Sequence, residues 1–335
     1  MAEKPPLTIE VTRGDMVESR HRAAAVVMDA AGKSLHSWGD VGRLVYPRSA
    51  IKPLQALALI ETGAAEHFRL GDAEIALASA SHSGTPAHTD AVARWLARLG
   101  LSERDIECGA HPPMDEEAAR ALARAGGAPG RLHNNCSGKH AGFLSTALHL
   151  GEPTAGYVKA DHPVQRRLKR ILVEMGGADL AHAPTGIDGC GIPVYGMPLT
   201  GLARALAGMA DGDRLAPTRG GAVKRIVAAM TKQPVMIAGR ERFDTRAMQA
   251  APDAFVAKGG AEGVHVAIVP GLGLGVALKV DDGAKRAAEV AMAAVLNFLG
   301  VLTDASAEPF VQTPVVNAAG DRVGVVRMAK DWRKE

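Results

Sequence analysis

Aromatic residues are scarce in this chain, with three Trp, three Tyr and six Phe making 4% of 335 residues. Basic residues are scattered rather than interleaved with aromatics, so the stripe that grips a nucleic acid is missing. An excess of one charge is missing too, since 39 Lys and Arg against 36 Asp and Glu leave a formal +3. The densest basic run, Arg166, Arg167, Lys169 and Arg170, shares a helical pattern with Leu168, Ile171, Leu172 and Met175. It reads as a solvated helix face. No apolar run reaches the roughly 18 residues of a membrane span, and Met1–Pro6 lacks the apolar core of a secretion signal. Only three cysteines are present, Cys108, Cys136 and Cys190. An odd, small number excludes a disulfide scaffold and points to a reducing, cytoplasmic setting.

What the chain does have is apolar bulk. Hydrophobic residues make 47% and charged residues 22%, which excludes a disordered chain. The length allows about two domains or one large α/β unit. A chain of this size buries most of its apolar surface on folding and needs no metal for stability, so a metal site would need another reason to exist.

Strand signals lie at both ends. Leu7–Thr12 alternates, and Ala23–Asp29 and Ser34–Gly39 flank a Gly-containing turn, predicting a hairpin. The middle is helical in period: Ile51–Glu61, Ala73–Ala80, Pro86–Gly100, Glu116–Ala125 behind an Asp115 cap, Lys139–Leu150, Pro163–Met175, Leu199–Met209 and Val223–Met230. Val264–Val269 and Gly275–Val280 are strands again. Lys285–Leu299 is a helix, and Pro314–Asn317 with Arg322–Arg327 predicts a second hairpin. The expected fold is mixed α and β, one sheet built from N- and C-terminal strands with a helical subdomain inserted. The whole of 1–335 reads as a single catalytic unit, with a helical subdomain near 64–185 between sheet-forming parts 1–63 and 186–335.

Three segments can carry chemistry. In Arg48-Ser49-Ala50-Ile51-Lys52-Pro53, a helix starting at Ser49 puts Ser49 and Lys52 on one face. That spacing is either a helix cap with a surface lysine or a nucleophile with its base. Pro53 is compatible with such a helix start. Ala80-Ser81-His82-Ser83-Gly84 is a polar connector, either a hydroxyl-rich turn or a place for proton relay and substrate contact. Lys258-Gly259-Gly260-Ala261-Glu262-Gly263 reads as a loop before a strand, its glycines allowing close approach. The order S-x-x-K, S-x-S, K-x-G is that of the serine β-lactamases and penicillin-binding proteins, with His82 and Ser83 standing for Asp and Asn of S-D-N and Gly259 for Thr of K-T-G.

Two cysteines sit in polar, glycine-rich strings, Asn135-Cys136-Ser137-Gly138-Lys139-His140-Ala141-Gly142 and Gly186-Ile187-Asp188-Gly189-Cys190-Gly191-Ile192-Pro193. Gly138-Lys139 is not a phosphate loop, because His133 and His140 occupy the positions of its first glycine and its Ser/Thr. No C-x-x-C pair is present, so the residues alone leave free thiols, a redox-sensitive pair and a zinc site open.

Taken together, these strings resemble the Rhizobium-type L-asparaginases, the asparaginase II family, over nearly the whole chain. The resemblance implies a serine β-lactamase-like and glutaminase-like fold and hydrolysis of L-asparagine to L-aspartate and ammonia. It implies two Ser-Lys pairs, Ser49 with Lys52 and Ser81 with Lys258, and a metal site, usually zinc, from Cys136, Lys139 and Cys190. In the family pattern His140 and Asp188 flank that metal site and Arg48 precedes the serine, so the resemblance implies these three as substrate-binding residues. A homodimer is typical of the family. Ser49 is then the expected nucleophile, Lys52 its base and Ser81 a proton relay. Alternatives that share the machinery are a glutaminase or other β-lactamase-like amidohydrolase. A non-catalytic metal or thiol sensor on the same fold is a third.

Overall fold

The computed structural model describes residues 4–333; Met1–Glu3, which enter the reading for a secretion signal, lie outside them. The chain divides into two compact units. One comprises Met1–Ala50, Met197–Asp211 and Arg246–Glu335, the other Ile51–Gly196 and Gly212–Thr245. The helical unit thus starts before residue 64, extends past 185 and takes in a second segment.

The first unit carries an eight-stranded sheet. In chain order its strands are β1 (Leu7–Arg13), β2 (Met16–Asp29), β3 (Ser34–Trp38), β4 (Val256–Gly259), β5 (Val264–Val269), β6 (Leu274–Val280), β7 (Gln312–Val316) and β8 (Arg322–Met328). Their spatial order is β7-β8-β1-β2-β6-β5-β4, with β3 also paired to β2. Each pairing is antiparallel. Strands from both ends of the chain therefore build one sheet. The second half of β2, Ala23–Met28, is buried residue after residue. A strand without alternation needs cover on both faces. The helices Leu199–Ala210 and Lys285–Phe298 pack on this sheet. Gly275 on β6 lets the first come close, since a Cβ there would run into the Ala203 carbonyl and the Ala207 amide.

The second unit is helical. Its longer members are Pro86–Arg98, Glu116–Arg124, Ser137–His149, Pro163–Gly176 and Pro217–Lys232. Asp115 caps Glu116–Arg124 as its sequence predicts, accepting from the Ala118 amide at 2.8 Å. The helix Ser137–His149 is buried from Ser137 to Ala147 and packs on Asp72–Ala78. Gly138 sets that contact: a Cβ there would lie 2.5 Å from the Leu77 carbonyl oxygen. The glycine of the Ser-Gly-Lys string therefore serves helix packing. Among the described residues, no helix is long and apolar enough to cross a membrane.

Candidate active site

Pro47–Ile51 leads into the first candidate residues. Arg48–Ile51 is a 3-10 turn continuing into the short α-helix Lys52–Gln55, with Pro53 in its first turn. Ser49 lies within the 3-10 turn, and Lys52 opens the helix that follows it. Arg48 enters this turn with φ of 53°, a left-handed conformation that costs a non-glycine residue energy and is a mark of functional sites. Ser49 is half-buried, while Lys52 is buried.

The Gly-rich string of the sheet unit lies against the same turn. A Cβ on Gly260 would stand 2.9 Å from the Pro47 carbonyl oxygen and 3.3 Å from the Ala50 amide nitrogen. Backbone thus meets backbone where Ser49 is held. Lys258 differs from its expected place. It lies inside an edge strand, β4, rather than in a loop at a strand's entrance. It is 1% exposed and donates to the Gly259 carbonyl at 2.5 Å.

Within the helical unit, buried polar groups converge on Lys52. Its ammonium donates to the Ala80 carbonyl at 2.5 Å and to Ser81 Oγ at 2.9 Å. Ser81 is itself buried, and its segment is fastened from several sides. The Ser81 amide donates to the Ile237 carbonyl at 2.9 Å and the His82 amide to the Asn135 carbonyl at 3.2 Å. Ser83 Oγ donates to the Ala238 carbonyl at 2.5 Å. Burial pushes the Lys52 ammonium below its ordinary range.

Both ring nitrogens of His82 are engaged. Its Nδ1 accepts from the Gly84 amide at 3.1 Å, so Nε2 carries the proton and donates to Ser137 Oγ at 2.8 Å. Ser137 Oγ in turn donates to the Leu132 carbonyl at 3.0 Å. Burial keeps the ring neutral. His82 thus ties the Ser81 connector to the start of Ser137–His149.

The thiols of Cys136 and Cys190 come together beside two lysines. Lys139 Nζ donates to Cys190 Sγ at 3.0 Å, and all three residues are buried. A hydrogen bond from Cys190 holds the Cys136 thiol well below its usual range, and the Lys52 and Lys139 charges add to it against the cost of burial. The same bond and burial push Cys190 up. Burial opposes the Lys139 ammonium, but the charge on the thiol pair more than offsets it and raises its pKa. Cys136 also stands at the N-terminal end of the helix Ser137–His149, where the helix dipole favours a thiolate. Neither thiol is in a disulfide. Cys108 is different: burial pushes its thiol up to about 12, and it is chemically quiet.

Asp188 is half-buried in the loop before Cys190, its carboxylate accepting from the Gly189 amide at 2.7 Å. His140 is buried, with Nδ1 2.7 Å from the Tyr157 hydroxyl. Tyr157 carries no periodicity or motif that marks it in the sequence.

Fold and centre define the class first: a mixed α/β protein with an antiparallel sheet and a helical unit that buries lysine, serine and thiol side by side. The family model described as L-asparaginase II matches residues 9–328, and the chain belongs to that family. It is accordingly an amidohydrolase. No curated protein matches the chain by sequence. Among solved structures, a β-lactamase (Mb2281c) from Mycobacterium bovis is similar at 17% identity and a TM-score of 0.42, covering 84% of this chain and 95% of its own. A D-alanine carboxypeptidase AmpC from Burkholderia cenocepacia is similar at 13% identity and a TM-score of 0.39, covering 84% and 93%.

Proposed function

We propose that the chain hydrolyses L-asparagine to L-aspartate and ammonia through an acyl-enzyme on Ser49. The observation that carries this reading is Lys52, an ammonium buried to 1% exposure and hydrogen-bonded to Ser81 Oγ at 2.9 Å. Burying an ammonium costs several kcal/mol, so such a group is retained for chemistry more than for stability. Neutral Lys52 takes the Ser49 proton, and Oγ attacks the side-chain amide carbon of asparagine. The C–N bond breaks as the amine takes a proton from Lys52 through Ser81 and leaves as ammonia. Water then gives its proton to Lys52 and attacks the β-aspartyl ester. Aspartate leaves, and the proton returns to Ser49. Lys258 completes a second pair with Ser81 in this reading, and Arg48, His140 and Asp188 bind the substrate's charged ends.

Ammonia release from L-asparagine against L-glutamine tests the substrate. One methylene separates the two and is worth about 1–3 kcal/mol in a fitted pocket, so asparagine is expected to turn over at least about tenfold more efficiently. Equal efficiency, or a preference for glutamine, would move the reading to a glutaminase. No ammonia from either would favour the sensor.

Cys136, Lys139 and Cys190 fit zinc by donor type, two sulfurs and an amine nitrogen in a buried cluster. Among the described residues no three of His, Cys, Asp and Glu converge as a metal requires, so Lys139 must serve as the third donor, deprotonated. Zinc held there would supply a fixed positive charge that orients the substrate's carboxylate. The nucleophile remains Ser49. Elemental analysis is expected to find zinc in the parent and none in Cys136→Ala or Cys190→Ala. Each should raise KM for asparagine by about tenfold or more, the usual weight of a metal's supporting residues. Unchanged zinc content in both variants would remove these residues from the site. This reading also takes a homodimer in the cytoplasm as the working state.

A further inference from the structure

His140 has one nitrogen accounted for and one not. Nδ1 lies 2.7 Å from the Tyr157 hydroxyl, whereas Nε2 is buried with no hydrogen-bond partner. The ring is fully buried, and an unmade hydrogen bond there is expensive. Which nitrogen holds the proton follows from Tyr157. Its oxygen already accepts the Glu107 amide at 2.8 Å. Burial keeps the phenol protonated by raising its pKa. That hydroxyl proton needs an acceptor, and His140 Nδ1 is the acceptor within reach. The loop is built to hold this arrangement. Glu107 accepts the Gly156 amide at 2.7 Å through its carboxylate while donating its own amide to the phenol. Gln165 Nε2 holds the Tyr157 carbonyl at 2.8 Å. The imidazole and phenol rings meet edge to face, 5.4 Å apart at 71°.

We infer that Tyr157 is a positioning residue that pins the His140 proton on Nε2, so that His140 offers a fixed N–H donor to an oxygen of the bound substrate. An N–H so placed cannot ligate a metal. This contrasts with His82, whose Nε2–H is consumed by Ser137, and with His88, whose Nε2–H goes to the Val235 carbonyl at 3.0 Å. Of these three buried imidazoles, His140 alone keeps a donor in reserve. The inference rests on the substrate-binding role given to His140 above.

The test has two arms. Ring nitrogen-15 spectra of the histidine-labelled full-length enzyme report the tautomer without any substrate. The parent is expected to show His140 as the Nε2–H form, and Tyr157→Phe to show a mixture of both forms. Kinetics supply the second arm. His140→Gln places an amide N–H near the Nε2 position and His140→Asn near Nδ1. KM for asparagine should stay within about threefold of the parent in the first and rise about tenfold in the second, the loss of roughly one hydrogen bond, with kcat less affected in both. An Nδ1–H tautomer in the parent, or equal KM in the Gln and Asn variants, would overturn the inference. Lack of asparaginase activity in the parent would instead sink the substrate reading, and the spectra would still decide the tautomer.

Discussion

Lys52→Met is expected to leave a folded protein that releases ammonia from asparagine at least about a thousandfold more slowly, within the range a positioned base contributes. Methionine fills the volume of the lysine stem without its charge. The variant leaves the Ala80 carbonyl and Ser81 Oγ without the donor they now have at 2.5 and 2.9 Å. Each orphaned group costs about 1–3 kcal/mol, but removing a buried charge relieves a desolvation penalty of several kcal/mol. Stability should therefore change little while activity collapses, and calorimetry beside the ammonia assay separates the two. Lys52→Arg should fail as well, because a guanidinium does not give up its proton. Retained turnover in Lys52→Met would remove Lys52 from the chemistry.

A neighbouring lysine shows why the proposal gives this role to Lys52. Lys139 is buried in the same unit and hydrogen-bonded to a thiol at 3.0 Å, which stabilises its charge. Lys52 meets a hydroxyl, a carbonyl and the Cys136 thiol, and burial outweighs the thiols' support of its charge. The two lysines share the thiol pair, yet their pKa values move in opposite directions, which is why the proposal gives proton exchange to Lys52 and pairing or metal binding to Lys139.

Much of the frame is legible in sequence. β5 and β6 announce themselves as apolar runs around Pro270-Gly271-Leu272-Gly273. β7 and β8 flank an Asn317–Asp321 turn, as the hairpin pattern predicts. The first half of β2 carries no such signal, because Met16–Arg22 is charged and largely open on one face. Lys258 reads as loop because Gly259 and Gly260 lack the side chains by which a strand is recognised; the pairing of β4 with β5 decides the matter. The run Ile51–Glu61 reads as one helix but divides at Ala56 into Lys52–Gln55 and Leu57–Glu61. Pro53 gives no amide to its start.

The site is legible as a set of strings, not as a set of contacts. Spacing pairs Lys52 with Ser49, since three residues on one turn is all that spacing can report. The hydrogen bonds that Lys52 makes reach the Ala80 carbonyl and Ser81 Oγ, 28 and 29 residues on. Glu107 and Tyr157 lie in separate loops, and only the folded chain brings them together. Sequence periodicity records which face of an element is buried. It is silent on which polar groups meet within that burial.

Ser49→Ala should form no acyl-enzyme at all, whereas Ser81→Ala should still form one slowly, as followed by intact-protein mass spectrometry after mixing with asparagine. The argument begins with access. Ser49 is half-buried on a strained turn, while Ser81 is buried with its oxygen already engaged by Lys52. A nucleophile must meet substrate, and a relay need only meet the base and the leaving group. The turn is also fixed in place, with Arg48 at φ of 53° and the Gly260 backbone packed on the Pro47 carbonyl. Such strain is kept where a group must be presented in one orientation. Removing a nucleophile from a serine hydrolase typically costs about 10⁴–10⁶ in rate, and Ser49→Ala is expected in that range. Ser81→Ala loses proton delivery, which is worth about 10²–10⁴, and should slow both formation and breakdown of the ester. An adduct on Ser49→Ala with none on Ser81→Ala would exchange the two roles. Lys52 would still be the base, because its hydrogen bond is to Ser81.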